Sequence, residues 1–235
     1  MKPIKLLGLA IIVILVTVAN LALHDHIHRN DEVKEFDPRD AIEHIVEFNV
    51  PLIPLMFNNR SPFFDLFMRL KVYGTGSHIV YKGKTYILTN NHICNAAEQM
   101  GPRGEAIVNG VSTEILRRSK HADLCLLKGI KEGGLEISAI VPNNQDEVYI
   151  LGHPRGLPTI IRKGRILTEK IMIPVGGKIQ PAQRITALAY PGNSGSPILS
   201  ADTGRVIGVL FAGQRGYWHE PFIVPLEYII ELLHE

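Results

Sequence analysis

The chain begins with an apolar run. Residues 6–23 contain no charged side chain, and Lys2 and Lys5 precede them. A membrane-spanning helix needs about 20 apolar residues, and the alanines near the end of this run lie at the wrong spacing for a good signal-peptide cleavage site. We therefore interpret residues 1–23 as an uncleaved transmembrane helix, with a cleaved signal peptide as the alternative. The two lysines favour a cytoplasmic N-terminus, with the remainder periplasmic or extracellular, or secreted if the segment is cleaved.

Residues 24–40 are polar and charged and indicate a linker. His24, His26 and His28 alternate, so an extended chain would present them on one side, where a transition metal could bind. No fourth ligand is evident, and a solvated linker explains the segment equally well. We therefore predict no metal site.

Residues 41–69 have a different pattern. Isoleucine and valine recur at helical spacing over residues 42–50, and Pro51 would end that helix. The proline-containing stretch that follows predicts an extended docking segment. The apolar cluster at residues 63–68 is expected to pack into the domain core, with a subunit contact as the alternative.

Short β-rich runs dominate the chain from about Leu70 onward. Glycine, proline and asparagine separate them, as is typical of strands joined by turns. The predicted strands are RLKVYG, SHIVYKG, KTYILTN, EAIVNG, VSTEILRR, DLCLLKG, EVYILG, TIIRKGRILTE, RITALA, SPILS, RVIGVLFAG and PFIVPL. Many short strands predict an all-β barrel or sandwich over residues 70–235. The last segment, EYIIELLHE, predicts a C-terminal helix.

Composition narrows the function classes. The formal net charge is +2, with 25 basic and 23 acidic residues, so no basic patch suggests nucleic acid as a partner. Two cysteines exclude a disulfide framework.

One serine stands in a stretch suited to chemistry. YPGNSGSPIL places Ser194 between glycines. A serine nucleophile needs a base, a group that orients the base, and donors for the developing oxyanion. Because Gly192 has no Cβ, its backbone can turn an N–H toward a reacting carbonyl oxygen. The Gly192 and Ser194 amides are the candidate oxyanion donors.

The other two groups lie on predicted strands. KTYILTNNHIC places His92 at a strand end, and HADLCLLKG places Asp123 at the start of an apolar strand. A partly buried aspartate needs a donor, and the His92 ring can supply one. Each residue alone has an ordinary structural explanation, but the order His, Asp, Ser on an all-β background favours a catalytic site.

Two cysteines lie close to these residues. Cys94 and Cys125 each stand two positions beyond a proposed catalytic residue. We expect two buried free thiols, with a disulfide as the alternative.

Residues 72–233 resemble a trypsin-like serine protease of the HtrA (Deg) type. The resemblance rests on five stretches in order: TGSHIVYKGKTYILTNNHIC, HADLCLLK, EVYILGHPRGLPTIIRKGRI, ALAYPGNSGSPILSADTGRVIGV and PFIVPLEYIIELL. It implies two six-stranded-type β-barrels of chymotrypsin type, with the active site between them. It also implies a His92, Asp123 and Ser194 triad acting on protein or peptide substrates, with no metal or cofactor.

The resemblance also suggests a specificity pocket. Its candidate residues are Leu188, Ala189, Tyr190, Phe211, Ala212 and Gly213. None is a carboxylate, so a buried Arg or Lys of a substrate would lack a partner. We therefore predict cleavage after small or medium apolar residues.

Some features depart from the family pattern. Ser196 replaces a glycine common in trypsin-like enzymes, and Asn193 replaces the aspartate that pairs with a freed N-terminus in zymogens. We expect no zymogen-type activation and no PDZ domain. The trimers of HtrA-type proteases make Phe63, Phe64 and Phe67 candidate contacts of a homotrimer. The alternatives are an inactive protease fold that serves as a binding or chaperone module, and an esterase. The β-rich stretch after Ser194 disfavours the usual esterase fold.

Overall fold

Two sheets contain nearly all of the predicted strands. The computed structural model describes residues 38–51, 69–100, 105–214 and 217–235, which belong to one unit, Pro38–Glu235. The predictions for the anchor, the three linker histidines and residues 63–68 lie outside the described residues. Among the helices described, none has the length and apolar character needed to cross a membrane.

The first sheet has eight strands. They are β1 Ile42–Pro51, β2 Arg69–Tyr81, β3 Lys84–Thr89, β4 Ala106–Val108, β5 Val111–Thr113, β6 Ile115–Arg118, β7 Cys125–Lys128 and β8 Leu135–Glu136. The order is β5-β4-β1-β2-β3-β7-β6, and β8 pairs with β2 in parallel. The resemblance implies six strands. The two additional ones are the short strands β5, at one edge, and β8, beside β2.

The second sheet has seven strands. They are β9 Glu147–Gly152, β10 Ile160–Ile166, β11 Ile171–Val175, β12 Lys178–Thr186, β13 Pro197–Ser200, β14 Val206–Gln214 and β15 Tyr217–Pro225. The order is β10-β9-β13-β14-β15-β12-β11, and β10 also pairs with β12. That additional pairing closes six of the strands into the predicted barrel, with β11 outside it.

Among the described residues, four helical segments accompany the sheets. They are 3₁₀ helices at Pro38–Ala41 and Pro154–Gly156, α1 Asn91–Met100 and α2 Leu226–His234. Helix α2 confirms the predicted C-terminal helix. Its apolar face is buried in a core to which both sheets contribute, including Leu126 of the first sheet and Leu151 of the second.

The helix predicted over residues 42–50 is wrong. This segment is strand β1, which pairs antiparallel with β2 from Ile42 opposite Ser77 to Pro51 opposite Arg69. Isoleucine and valine favour extended backbone, and the backbone hydrogen bonds with β2 stabilise that conformation. The segment expected to precede the protease domain is therefore part of the first sheet.

A helix replaces the predicted strand end at His92. Strand β3 ends at Thr89, and α1 begins two residues later. Ile93, Cys94 and Ala97 form its buried face, at the spacing typical of an amphipathic helix. The apolar run of β3 concealed this change of period.

The two cysteines form a disulfide. The expectation of free thiols is therefore wrong, and the alternative is confirmed: Cys94 is bonded to Cys125. Strand β3 brings them together because Thr89 lies opposite Cys125 in the sheet, and α1 starts directly after this pair. Both cysteines are fully buried.

Candidate active site

His92 and Asp123 are in direct contact. The His92 Nδ1 and Asp123 Oδ2 atoms lie 2.5 Å apart, and the His92 backbone N–H donates to Asp123 Oδ1 over 2.9 Å. The Asp123 side chain is 13% exposed, whereas that of His92 is 46% exposed. The carboxylate thus fixes one ring nitrogen and leaves the other side of the ring accessible.

Helix α1 and the residue before it are attached to Asp123 and to β6 at several points. The Asn90 side chain donates to the Asp123 carbonyl oxygen over 2.9 Å. Arg118, at the end of β6, donates to Asn91, Asn95 and Glu98 over 2.9, 2.5 and 2.8 Å. These acceptors lie at positions i, i+4 and i+7, which form one helical face. Together with the disulfide, these contacts fix the position of His92 relative to Asp123.

The Ser194 loop turns tightly beside the first sheet. Gly195 has φ +88°, and a Cβ there would overlap the Thr75 carbonyl oxygen. The Thr75 N–H donates to the Ser194 carbonyl oxygen over 2.7 Å, and the Thr89 hydroxyl donates to the Thr75 carbonyl oxygen over 2.8 Å. These bonds bring Ser194 beside the end of β3, three residues before His92. Within the described ranges, no hydrogen bond joins the Ser194 hydroxyl to the His92 ring.

The Gly192 peptide has a defined orientation. The Arg155 N–H donates to the Pro191 carbonyl oxygen over 2.7 Å, and the Thr75 hydroxyl donates to the Gly192 carbonyl oxygen over 2.8 Å. In a trans peptide the N–H points opposite to the C=O, so the Gly192 N–H points away from Arg155. Gly192 has φ +99°, and a Cβ there would lie 2.6 Å from the His153 carbonyl oxygen. Glycine is therefore required at this position.

The two segments predicted for the specificity pocket lie on either side of Trp218. The Ala189 N–H donates to the Trp218 carbonyl oxygen over 2.9 Å, and the Tyr190 and Trp218 ring centroids are 6.2 Å apart. A Cβ on Gly213 would lie 3.6 Å from the Trp218 ring.

The six predicted pocket residues differ in solvent exposure. Ala189 and Phe211 are buried, Ala212 is half-buried and Gly213 is exposed. Leu188 and Tyr190 line a cavity of about 180 Å³ on the side of the loop that faces β9 and β10. No carboxylate lines this cavity.

Strands β9 and β10 carry an exposed cluster of ion pairs. The Lys163 ammonium, with Arg165 beside it, lowers the pKa of the exposed Glu147 carboxylate, and Glu147 in turn raises the pKa of Lys163. Within the residues that the structure describes, no group of three or more His, Cys, Asp or Glu residues could hold a metal ion.

Sequence reasoning missed several residues of the site. Thr75, Arg155 and Trp218 contact the Ser194 loop from distant parts of the chain, and Arg118 contacts α1. Only Arg155 lies in a segment whose sequence suggested a special role, because GHPRG surrounds it with glycine and proline residues. The others belong to segments of ordinary composition.

Comparison with protein families identifies the domain. A family model described as a trypsin-like peptidase domain matches residues 74–209. The chain belongs to this family. The matched span contains His92, Asp123 and Ser194.

Curated relatives are serine proteases of the DegP type. "Probable periplasmic serine endoprotease DegP-like" of Pseudomonas putida (strain GB-1) is 26% identical over 200 residues, covering 80% of this chain and 39% of the relative. "Protease Do-like 5, chloroplastic" of Arabidopsis thaliana is 29% identical over 157 residues, covering 59% of this chain and 48% of the relative. The chain is homologous to these proteases, and it spans less than half the length of each.

Solved structures of the same type share the fold. The Rv3671c protease of M. tuberculosis in its active form has a TM-score of 0.62 at 17% identity, covering 84% of this chain and 81% of that one. The HtrA-type protease AlgW with a decapeptide has a TM-score of 0.61 at 19% identity, covering 84% and 63%. The expected chymotrypsin-like, mostly β fold with a short C-terminal helix is thereby confirmed.

Proposed function

We propose that this chain is a serine endopeptidase that hydrolyses peptide bonds of protein substrates through His92, Asp123 and Ser194. The observation that carries the proposal is the pair of hydrogen bonds between His92 and Asp123, because this arrangement orients a catalytic base. The Ser194 loop, held beside the same strand end by Thr75, supports it.

The proposed mechanism follows from these roles. Ser194 Oγ attacks the scissile carbonyl carbon, and His92 Nε2 accepts the hydroxyl proton and then donates it to the leaving amine. Asp123 holds the imidazole and stabilises its protonated form. Water then hydrolyses the acyl-enzyme with His92 again as the base. The Gly192 and Ser194 amides bind the oxyanion, and each such donor typically lowers the barrier by about 2.7–4 kcal/mol.

Substrate preference is proposed from the pocket residues. Leu188, Ala189, Tyr190, Phe211, Ala212 and Gly213 provide no negative charge, so a cationic side chain would be buried without a partner. The enzyme therefore prefers small or medium apolar residues before the scissile bond. A panel of peptides that differ only at that residue tests the preference, and strict cleavage after Arg or Lys would contradict it.

Location and assembly are proposed from the N-terminal sequence and the relatives. The apolar run of residues 6–23 is long enough to anchor the chain in a membrane, and relatives of the DegP type are named as periplasmic. The protease domain is then periplasmic or extracellular, and it assembles as a homotrimer. Protease accessibility of the domain in intact cells and in spheroplasts tests its side of the membrane, and cross-linking tests its oligomeric state.

The decisive experiment is active-site labelling. The full chain and its Ser194→Ala variant are treated with a fluorophosphonate probe, which reacts only with an activated serine. We expect labelling of the parent alone, and much slower labelling of His92→Ala. Absence of labelling in the folded parent would contradict a preformed catalytic site and favour the alternative of a binding or chaperone module.

A further inference from the structure

A cavity lies behind the Ser194 loop and shares Leu188 and Tyr190 with the proposed specificity pocket. We propose that the cavity between this loop and the β9–β10 hairpin binds an aliphatic carboxylate, and that its occupation holds the Gly192 amide in place for catalysis. The coupling to catalysis rests on the proposed function, whereas the binding site does not.

The cavity is largely apolar. It occupies about 180 Å³ and is lined by Ile150, Pro154, Arg155, Leu157, Ile160, Arg162, Leu188, Tyr190 and Asn193. A water molecule occupies about 30 Å³ of liquid, so the cavity holds a group about six waters in size. Sites for whole small molecules are usually larger, about 300–1,000 Å³. The size fits a single aliphatic side chain with its attached carboxylate.

Two arginines set the sign of the ligand charge. Arg155 and Arg162 line the cavity without any carboxylate beside them. Other arginines of the same sheet have carboxylate partners, since Arg165 pairs with Glu147 and Arg184 with Glu220. Both arginines are exposed and, within the described part of the chain, neither forms an ion pair, so an anion in the cavity would replace part of their hydration with charge-assisted hydrogen bonds.

Arg155 remains available to bind an anion. Its guanidinium lies 4.9 Å from the centre of the Tyr190 ring. A guanidinium held over an aromatic ring still has N–H groups that can donate to a carboxylate.

Asn193 contributes an uncharged hydrogen-bond acceptor to the lining. It is 4% exposed, and its side-chain oxygen has no hydrogen-bond partner within the described residues. The amide oxygen is an acceptor, so it can take the N–H of an amide next to the carboxylate but not the carboxylate itself; the two arginines of the lining would repel an ammonium group. A carboxylate is therefore the group that matches the charge of the lining.

The cavity and the oxyanion loop share residues. Arg155 lines the cavity with its side chain and donates its N–H to the Pro191 carbonyl oxygen, which orients the Gly192 amide. Arg155 adopts φ +55°, a left-handed conformation that non-glycine residues adopt only when their surroundings hold it. A ligand on Arg155 and Asn193 stabilises this loop only if it binds that conformation better than others.

The binding test uses a matched pair of probes. N-acetyl-leucine carries the aliphatic carboxylate, and N-acetyl-leucinamide differs only in lacking the charge. Binding to the full chain in mild detergent is measured by calorimetry. We expect the acid to bind at least about fivefold more tightly than the amide and to lose that advantage in Arg162→Gln, but not in Arg165→Gln. Equal binding of acid and amide would overturn the proposal.

Substitutions that fill the cavity with a larger side chain test whether the acid binds there. Ile160→Phe and Ile160→Trp are compared, after circular dichroism has shown which of them folds. Loss of acid binding in the folded variant supports the cavity, and unchanged binding overturns it. Using 3-methylbutanoate as a third probe distinguishes a free short-chain acid from a peptide C-terminus, because only N-acetyl-leucine contains the adjoining amide.

The coupling test measures the rate of fluorophosphonate labelling with and without N-acetyl-leucine. We expect about a fivefold increase or more, at the lower end of typical allosteric couplings, which Arg162→Gln abolishes. Binding without any change in rate would overturn the coupling, and slower labelling would place the acid in the Ser194 cleft instead. A chain that binds the acid but is never labelled would contradict the proposed function and leave the cavity assignment standing.

Discussion

Thr75 connects three parts of the candidate active site through its side chain and backbone. Its buried hydroxyl accepts from the His153 N–H over 3.1 Å and donates to the Gly192 carbonyl oxygen over 2.8 Å. Its N–H holds the Ser194 carbonyl oxygen. The position of the oxyanion loop therefore depends on a residue that takes no part in the chemistry.

Replacing Thr75 with valine tests this dependence. Valine keeps the shape but leaves a buried donor and a buried acceptor without partners, and each of these costs about 1–3 kcal/mol of folding free energy. We expect the labelling rate to fall about tenfold, less than the ~10²–10³-fold lost when an oxyanion donor is removed. Urea unfolding and fluorophosphonate kinetics measure the two effects.

Thr75→Ser is the matched control because it retains the hydroxyl. It should keep most of the labelling rate. If serine impairs labelling as much as valine does, the hydroxyl does not by itself account for the position of the loop, because serine retains it.

The three proposed catalytic residues could be predicted from the sequence, but the contacts that hold them in place could not. Glycines around Ser194 and the flanking strand patterns of His92 and Asp123 are local signals that remain visible in the sequence. The bond between Thr75 and Gly192 joins residues 117 positions apart. Such a contact depends on the packing of two sheets, and no local pattern predicts it.

Helix α1 carries His92, and Arg118 binds one face of it. We predict that Arg118→Lys lowers the labelling rate about tenfold, since lysine keeps the charge but lacks the planar fork that binds several acceptors. The effect is smaller than the ~100-fold that a 1 Å misplacement can cost, because the disulfide still holds the helix. Labelling kinetics at several pH values measure it.

Arg117→Lys is the neighbouring control. Arg117 donates to the carbonyl oxygens of Leu232 and Leu233 in α2 rather than to α1. Its replacement should change the thermal stability without slowing the labelling. An equal loss of labelling in both variants would indicate a general loss of structure rather than a role in positioning α1.

The Cys94–Cys125 disulfide attaches α1 to β7. It closes a loop with a sequence separation of 31, for which chain-entropy estimates predict about 3–4 kcal/mol of stabilisation. We expect the double variant Cys94→Ala/Cys125→Ala to unfold at lower urea concentration and to label more slowly. The Cys125→Ala single variant separates loss of the bond from loss of both sulfurs, and unchanged stability of the double variant would contradict the prediction.

Element types were predictable where the apolar period was clear. Most strands and α2 form where the sequence pattern predicts them. The prediction for β1 was wrong: we predicted a helix, because isoleucine and valine stand at helical spacing, but these residues also favour a strand. The β11–β12 hairpin was missed although Gly176 and Gly177, with φ +57° and +77°, form the type of turn that joins two strands. Helix α1 was missed because it directly follows a strand.

The two sheets share one core beneath the site. Leu88 and Leu124 of the first-sheet region pack in the same buried cluster as Val209 and Val224 of the second. Asp123 and His92 belong to the first half and Ser194 to the second, so the arrangement of the site depends on this shared core. Helix α2, at the end of the chain, adds Ile229 to the same cluster.

Ile229→Ala tests whether stability and site geometry are coupled through this core. Ile229 is fully buried, so removing its side chain should cost about 2–5 kcal/mol. Ile230→Ala removes the same atoms from a half-buried position of the same helix and should cost clearly less. If the core unites the two sheets, near-UV circular dichroism and labelling are lost together in one thermal transition, which Ile229→Ala shifts to lower temperature. Two separate transitions in either variant would show that the sheets unfold independently, with the site failing at the first.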